Sequence, residues 1–237
     1  MEPWSDRAAD LYEFVFSRED AHRNAERLHR LIEERTPGCQ TLLDVACGTG
    51  WHLERLRDWY HVEGLDSSLG MLRHARQRLP DVPLHQADMR TFDLGRSFDV
   101  VVCLSSSIAW MQTKADLADA VGAMSRHLNQ GGLLMIEPWG FPEDANDEPW
   151  LTTIEADDRA VALMETTTLH ADTWRQETHY LTWTPDGGID YLTETHTFGA
   201  FTKADHEAAF GQAGLSVGFD PDGLLGRGLF IGARRRS

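Results

Sequence analysis

Two rhythms of apolar and polar positions run along this chain. Short apolar runs closed by glycine, proline or polar clusters read as strands: residues 42–46, broken only by Asp44, then 61–65, 83–87, 98–104 and 133–136. The run at 98–104 is apolar apart from Asp99, as suits a parallel sheet covered on both faces. Between the runs, apolar residues recur at helical spacing: Ala25, Leu28, Leu31 and Ile32 within 21–35, Met71, Leu72 and Ala75 within 70–79, and Leu117, Ala120, Val121 and Met124 in a helix that Asn129-Gln130-Gly131-Gly132 is expected to end. Residues 17–20 read as a loop. Residues 151–200 change character. Arg175, Glu177, His179, Leu181 and Trp183 alternate onto one face, residues 185–188 form a turn, and 191–198 alternate again, predicting inserted antiparallel strands. Thr202 and Asp205 open a last helix, and 215–219 with 228–231 suit a closing hairpin.

The pattern therefore predicts an α/β fold with a mostly parallel sheet, helices on both faces and an antiparallel β insertion. The expected divisions are a helical lid at 1–36, a core at 37–150, the insertion at 151–200 and completion of the core at 201–237. The insertion is expected to cap the substrate pocket or to pair two copies of the chain as a homodimer.

Composition narrows the function. Acids number 38 against 22 lysines and arginines in 237 residues, a formal charge of −16, which argues against nucleic-acid binding. No stretch approaches membrane-spanning length and no secretory signal opens the sequence, so no membrane partner and a cytoplasmic location are expected. Cys39, Cys47 and Cys103 form no metal or redox spacing, and no metal is expected.

The chemistry centres on the first strand. Gly48-Thr49-Gly50 allows a tight turn against a ligand, and a helical pattern starts at Trp51. A dinucleotide fingerprint needs a third glycine where Leu53 stands, and no P-loop pattern is present. Asp44, inside the strand, suits a cationic ligand such as S-adenosylmethionine. Asp66 ends the second strand, at a spacing suited to a ribose diol, and Asp88 with Met89 follows the third, suited to an adenine edge and face. The bland reading of any one acid is a helix N-cap. Three at successive strand ends, with the glycine turn on the first, favour a cofactor.

These residues resemble class I S-adenosylmethionine-dependent methyltransferases, with Ala46 where many members carry glycine. The chain is more closely similar to bacterial N,N-dimethyltransferases acting on nucleotide-linked amino sugars in macrolide antibiotic pathways. The matching stretches are 42–50, 63–66, 88–92, 106–108, 137–143 and 226–230. The resemblance implies a Rossmann-like, seven-stranded sheet with S-adenosylmethionine held by Asp44, Ala46, Gly48, Gly50, Asp66, Ser67, Met71, Asp88, Met89 and Ser105. Tyr12 and Arg23 are candidates for the cofactor's carboxylate. It also implies a substrate pocket reached by Trp4, Phe16, Trp110, Trp139 and His196.

At the positions matching Trp4 and Trp110, the sugar enzymes carry polar rings near the amine; an indole can only donate. An aromatic, indole-like acceptor methylated at carbon or nitrogen is therefore the leading expectation. N,N-dimethylation of a nucleotide-linked amino sugar is the alternative, and a non-catalytic S-adenosylmethionine-binding regulator the second. Glu137, His179, Glu13 and His196 are candidates for a catalytic base, against bland readings of Glu137 as a buried structural acid and of the two histidines as solvated sheet residues. His127, near a helix end, reads as structural, where a cation would favour the helix dipole. His74 reads as a solvated surface residue.

Overall fold

The computed structural model describes residues 6–146, 148–224 and 226–234, with side chains from residue 9 onward. Two helices open it, α1 (Asp6–Val15) and α2 (Arg18–Arg35). The Ser17 hydroxyl accepts the Asp20 N–H, so residues 17–20, expected as a loop, are the cap and first turn of α2. Strands and helices then alternate: β1 (Thr41–Val45), α3 (Trp51–Leu56), β2 (His61–Asp66), α4 (Leu69–Arg78), β3 (Leu84–Gln86), β4 (Phe98–Cys103), α5 (Lys114–Arg126) and β5 (Leu128–Ile136). Four long strands follow, β6 (Trp150–Ala156), β7 (Arg159–His170), β8 (Thr173–Thr184) and β9 (Gly188–Gly199). The chain finishes with α6 (Lys203–Gln212), β10 (Ser216–Asp220) and β11 (Leu229–Ala233). Thr202 and Asp205 form the capping box of α6.

The first sheet has seven strands in the order β10-β11-β5-β4-β1-β2-β3, with β1 to β5 parallel and β11 antiparallel to both neighbours. Its strands are apolar on both sides because helices cover both. Leu43, Val45, Val101, Cys103, Leu134 and Ile136 join one core with α5 and α6. Leu42, Val100, Val102, Leu133 and Met135 join the other, with α2, α3 and α4. The strand order reverses between β4 and β1, and in open α/β sheets the crevice beyond the carboxyl ends at such a point holds ligands.

One expected boundary moves. Residues 129–132 do not cap α5; they lie inside β5, where pairing with β4 shifts register. Gly131 takes φ 78° there, and a Cβ on Gly132 would lie 2.9 Å from the Asp99 carbonyl oxygen. His127 caps α5 and is buried, but not as a dipole-bound cation. Its Nε2 accepts the Leu94 N–H at 2.9 Å, which leaves Nδ1–H to donate to the Ala123 carbonyl at 2.8 Å. His74 is not merely solvated either: it bonds Asp10 at 2.8 Å and ties α4 to α1.

The second sheet is antiparallel, β6-β7-β8-β9. Register places Glu165, Thr178 and Glu194 in one row, and Thr167, Gln176 and His196 in the next. Gln176 and Thr178 are buried, as is Trp174 on the same face. The opposite face carries His179, Leu181, Trp183, Ile189 and Tyr191 toward solvent. Leu11, Phe14 and Val15 of α1 pack on Val161, Leu163 and Tyr180, so α1 lies across the inner face of this sheet.

Candidate active site

After β1 the backbone enters the left-handed region three times, at Ala46 (φ 62°), Gly48 (φ 55°) and Gly50 (φ 84°). The turn is pinned by Asp66, whose Oδ2 accepts the Gly48 N–H at 2.9 Å and whose Oδ1 accepts the Ser68 N–H at 2.8 Å. Gly50 has a second constraint: a Cβ there would lie 3.0 Å from Leu79. Below the turn sits Asp44, 1% exposed, and neither of its oxygens has a hydrogen-bond partner among the described residues. Burial, then the Asp66 charge, push its carboxyl up to about 8. A buried, unpartnered carboxylate is costly unless a cation satisfies it.

The neighbouring elements close in on the turn. The Tyr12 and Phe16 rings lie 4.4 Å apart, tilted by 32°, and with Asn24, Thr49, Trp51 and His52 they line a cavity of about 110 Å³ over it. Burial, then Glu13, Asp66 and Asp44, raise the Tyr12 phenol to about 12, and burial lowers His52 to about 4. Asn24, Thr49, Trp51 and His52 were not singled out from sequence; their signal is nearness to the glycine turn and to the start of α2. Glu13 accepts from Trp51 Nε1 at 2.5 Å and pairs with Arg78. Arg23 is exposed and pairs with Asp20, away from this cavity. Asp88 follows β3 and is clasped by Arg90 at 2.6 Å, while Met89 is buried in the core. Met71 is buried on α4, and Ser67 is exposed just before it.

Beyond β4, Ser105 and Ser106 also take left-handed backbone, φ 51° and 62°. The Ser105 N–H donates to Glu137 Oε2 at 2.8 Å, and the Ser106 hydroxyl donates to the Pro138 carbonyl at 2.8 Å. Buried Glu137 thus fixes the loop between β4 and Trp110. A family model described as a methyltransferase domain matches residues 42–132. The dTDP-3-amino-3,4,6-trideoxy-alpha-D-glucopyranose N,N-dimethyltransferase of Streptomyces venezuelae is 41% identical over 94% of this chain and 96% of that protein.

This chain belongs to the class I S-adenosylmethionine-dependent methyltransferases. A dTDP-3-amino-3,6-dideoxy-alpha-D-glucopyranose N,N-dimethyltransferase of Streptomyces fradiae is 42% identical over 97% of this chain and 91% of its own. The crystal structure of Streptomyces venezuelae DesVI superposes with a TM-score of 0.89 at 39% identity, covering 96% of each chain. An amino pentose methyltransferase of Micromonospora echinaspora, solved with S-adenosylmethionine bound, gives 0.87 at 37% identity over 98% of this chain and 97% of that one. The protein is thus an S-adenosylmethionine-dependent methyltransferase of specialised metabolism. The donor set fits that cofactor: an unpartnered buried carboxylate for an ammonium, a second acid at the end of β2, and a turn whose backbone needs glycine.

On the far side of the Ser105–Ser106 loop, the methyltransferase presents aromatic rings to the second sheet. Trp110 meets His196 and Phe198 edge-on, at 5.1 and 4.7 Å, and Trp139 stacks on Phe198 at 4.8 Å. Arg227 bonds the Ser106 hydroxyl at 3.2 Å and lies 5.8 Å from the Trp139 ring centre. Glu194 stands 3.5 Å from His196, and Thr178 donates to Glu165, whose carboxyl burial pushes up. Sequence reasoning missed Glu165, Glu194 and Arg227. A further cavity of about 230 Å³ lies between Trp139, Phe141 and Trp174. His179 is on the outer face, bonded to the Tyr191 hydroxyl at 2.5 Å, and not with these groups. Trp4 lies outside the described residues.

Proposed function

We propose that this methyltransferase acts on the amino nitrogen of a nucleotide-linked amino sugar, and does so twice to give the N,N-dimethyl product. The observation that carries the reading is the 41% and 42% identity, over nearly full length, to two enzymes of that description. The acidic inner face of the second sheet, with Glu165 and Glu194, supports a cationic acceptor. The aromatic-acceptor expectation loses its footing at Trp110, whose ring is already packed edge-on by His196 and Phe198.

S-adenosylmethionine supplies a methyl carbon on a cationic sulfur, a leaving group already activated. Asp44 would hold its ammonium and Asp66 the ribose hydroxyls. Asp88 and Met89 would take the adenine, Ala46, Gly48 and Gly50 would let the backbone lie close, and Ser67, Met71, Ser105, Tyr12 and Phe16 would surround it. The displacement is in-line, and holding the nitrogen in line is worth up to roughly 7–11 kcal/mol. An ammonium has no lone pair, so the nitrogen must reach the methyl neutral. Of the four base candidates, His196, beside Glu194 and touching Trp110, suits the role of proton acceptor best. Glu137 is committed to the Ser105 backbone, Glu13 to Trp51 and Arg78, and His179 faces the other way. Arg227, a guanidinium beside the Ser106 loop, suits the diphosphate.

The test is turnover against dTDP-linked amino sugars, indoles, phenols and aromatic amines, with products weighed by mass spectrometry. A gain of two methyls on the amino sugar is expected. Methylation of an aromatic acceptor with none on the amino sugar would return the function to the other reading. The exposed Leu181, Ile189 and Tyr191 on the outer face support pairing of two copies through the second sheet.

A further inference from the structure

Arg78, at the end of α4, has a side chain only 16% exposed, and three parts of the donor side meet on it. Its Nη1 donates to the Thr49 carbonyl, inside the turn after β1. Its Nη2 bonds Glu13 of α1 at 2.5 Å. Its guanidinium lies 4.1 Å from the centre of the Trp51 ring. Trp51 Nε1 donates to the other oxygen of Glu13, so Arg78, Glu13 and Trp51 close a triangle. The Thr49–Gly50 peptide is thereby held at both ends, since the Gly50 N–H donates to the Cys47 carbonyl at 3.0 Å. Glu54 is farther from Arg78, at 3.9 Å, and is engaged by Arg18 and His22 of α2 at 2.7 and 3.1 Å. One turn earlier on α4, His74 also ties α1, but through Asp10, whose side chain is 64% exposed; such a pair contributes little.

We propose that Arg78 is a positioning residue of the donor site, which sets the turn after β1 and the α1 cover in register with each other. The inference rests on the donor occupying that turn, and not on the identity of the acceptor. Tyr12 and Phe16 reach the cavity over the turn from the same segment as Glu13, so a fixed Glu13 fixes the cover. Trp51 lines that cavity as well, and Arg78 holds its ring. A planar guanidinium can hold a carbonyl, a carboxylate and a ring face at once; an ammonium has the charge without that geometry. While α1 is down, the Thr49 carbonyl, Glu13 and Trp51 share one partner. Lifting α1 removes Glu13 from that partner and loosens its hold on the turn. Release of the spent donor is therefore governed by this contact as well as by the walls of the cavity.

The experiment uses the full chain without acceptor, with S-adenosylhomocysteine as the probe. Stopped-flow release of the probe, and hydrogen exchange of residues 6–16 with and without it, are measured in five proteins: wild type, Arg78→Lys, Glu13→Gln, the double variant and His74→Asn. Release is expected to be about tenfold faster in Arg78→Lys and in Glu13→Gln, the scale of one hydrogen bond to a charged group. The double variant is expected to match Arg78→Lys, because both changes weaken the same contact. In wild type the probe slows exchange across residues 6–16, and in either single variant it does so less. His74→Asn cuts only the exposed tie and should change release by less than about twofold. Release from Arg78→Lys within about twofold of wild type overturns the role, and so does an about hundredfold effect in the double variant, which makes the two residues independent. His74→Asn releasing as fast as Arg78→Lys also overturns it, since Arg78 is then one more tie of the cover. Should Arg78→Lys fail to fold, Glu13→Gln leaves Arg78 in place and carries the same test, with unchanged exchange outside residues 6–16 reporting its fold. Turnover of the amino sugar is a separate measurement, and its failure leaves this result standing.

Discussion

The two sheets solve opposite problems. In the seven-stranded sheet both faces are largely apolar, and Asp44, Asp66 and Glu137 gather toward the carboxyl ends of its strands. In the four-stranded sheet the polar side chains turn inward: Gln176 and Thr178 are buried, with Glu165, Glu194 and His196 beside them. Its Leu181, Trp183 and Ile189 turn outward. The inner face is mixed rather than apolar, since Val161, Leu163, Trp174, Tyr180 and Phe198 are buried on it beside these polar groups. In the proposed reading the donor meets a backbone that only certain residues can adopt, and the acceptor would meet side chains on a regular strand, which any residue can occupy. The first site is thus tightly specified by residue type, and the second is free to vary.

The sharpest test of this division is the loss of one inward side chain. His196→Gln keeps a polar group of similar reach, and kcat is expected to fall about 100-fold, the scale of general base catalysis. KM should change only a few-fold; an unchanged kcat would mean that His196 merely fills the wall.

Next in size is the donor side. Asp44→Asn is expected to weaken S-adenosylmethionine roughly 10- to 100-fold by calorimetry, since a hydrogen bond to a charged group is worth about 1.5–3 kcal/mol. In the wild type, with Asp44 held up to about 8, affinity should rise as pH increases toward 8 and then level; in the variant it should not. Stability runs the other way. Between about 4 and 8 the folded protein keeps a proton on Asp44 that the unfolded chain has released, so this group's contribution to stability declines as pH rises through that window. Asp44→Asn should therefore melt no lower than wild type at pH 8 without ligand, a result opposite to that of an ordinary core polar residue.

A smaller effect is expected from the backbone. Gly50→Ala forces a side chain into φ 84° and against Leu79, and urea unfolding should show a loss of about 1–2 kcal/mol. The smallest belongs to the outer face. Leu181→Glu with Ile189→Glu should leave S-adenosylmethionine affinity unchanged while shifting the sedimenting mass from two copies to one. An unchanged mass would remove the pairing reading.

The contrast also explains what the sequence made legible. Residues 42–50 could be read because Gly48 and Gly50 stand where left-handed backbone is required, and Asp44 is out of place in an apolar run. The cap at Thr202 and Asp205 was readable for the same reason: its chemistry is local. Residues 129–132 misled because glycine serves a helix end and a strand irregularity equally well, and only the neighbouring Asp99 carbonyl decides. On β8 the alternation was plain, but its direction was not. His179 and His196 looked equivalent, and pairing across β8 and β9 puts them on opposite faces. Glu165 and Glu194 carried no signal, since isolated acids in a strand read as solvated until the opposing rows are known.

The first helix has a kinetic consequence. Leu11, Phe14 and Val15 rest on the second sheet, Asp10 and Glu13 are tied to α4 through His74 and Arg78, and Tyr12 and Phe16 cover the turn after β1. In the proposed reading this segment, with Phe16 just past its end, would close both compartments together. A reaction that adds two methyls must exchange spent donor for fresh between them, and lifting this segment for that exchange unseals the acceptor as well. The singly methylated intermediate then meets bulk solvent in every cycle, and a distributive time course, with that intermediate building up before the final product, is the signature of such a shared closure.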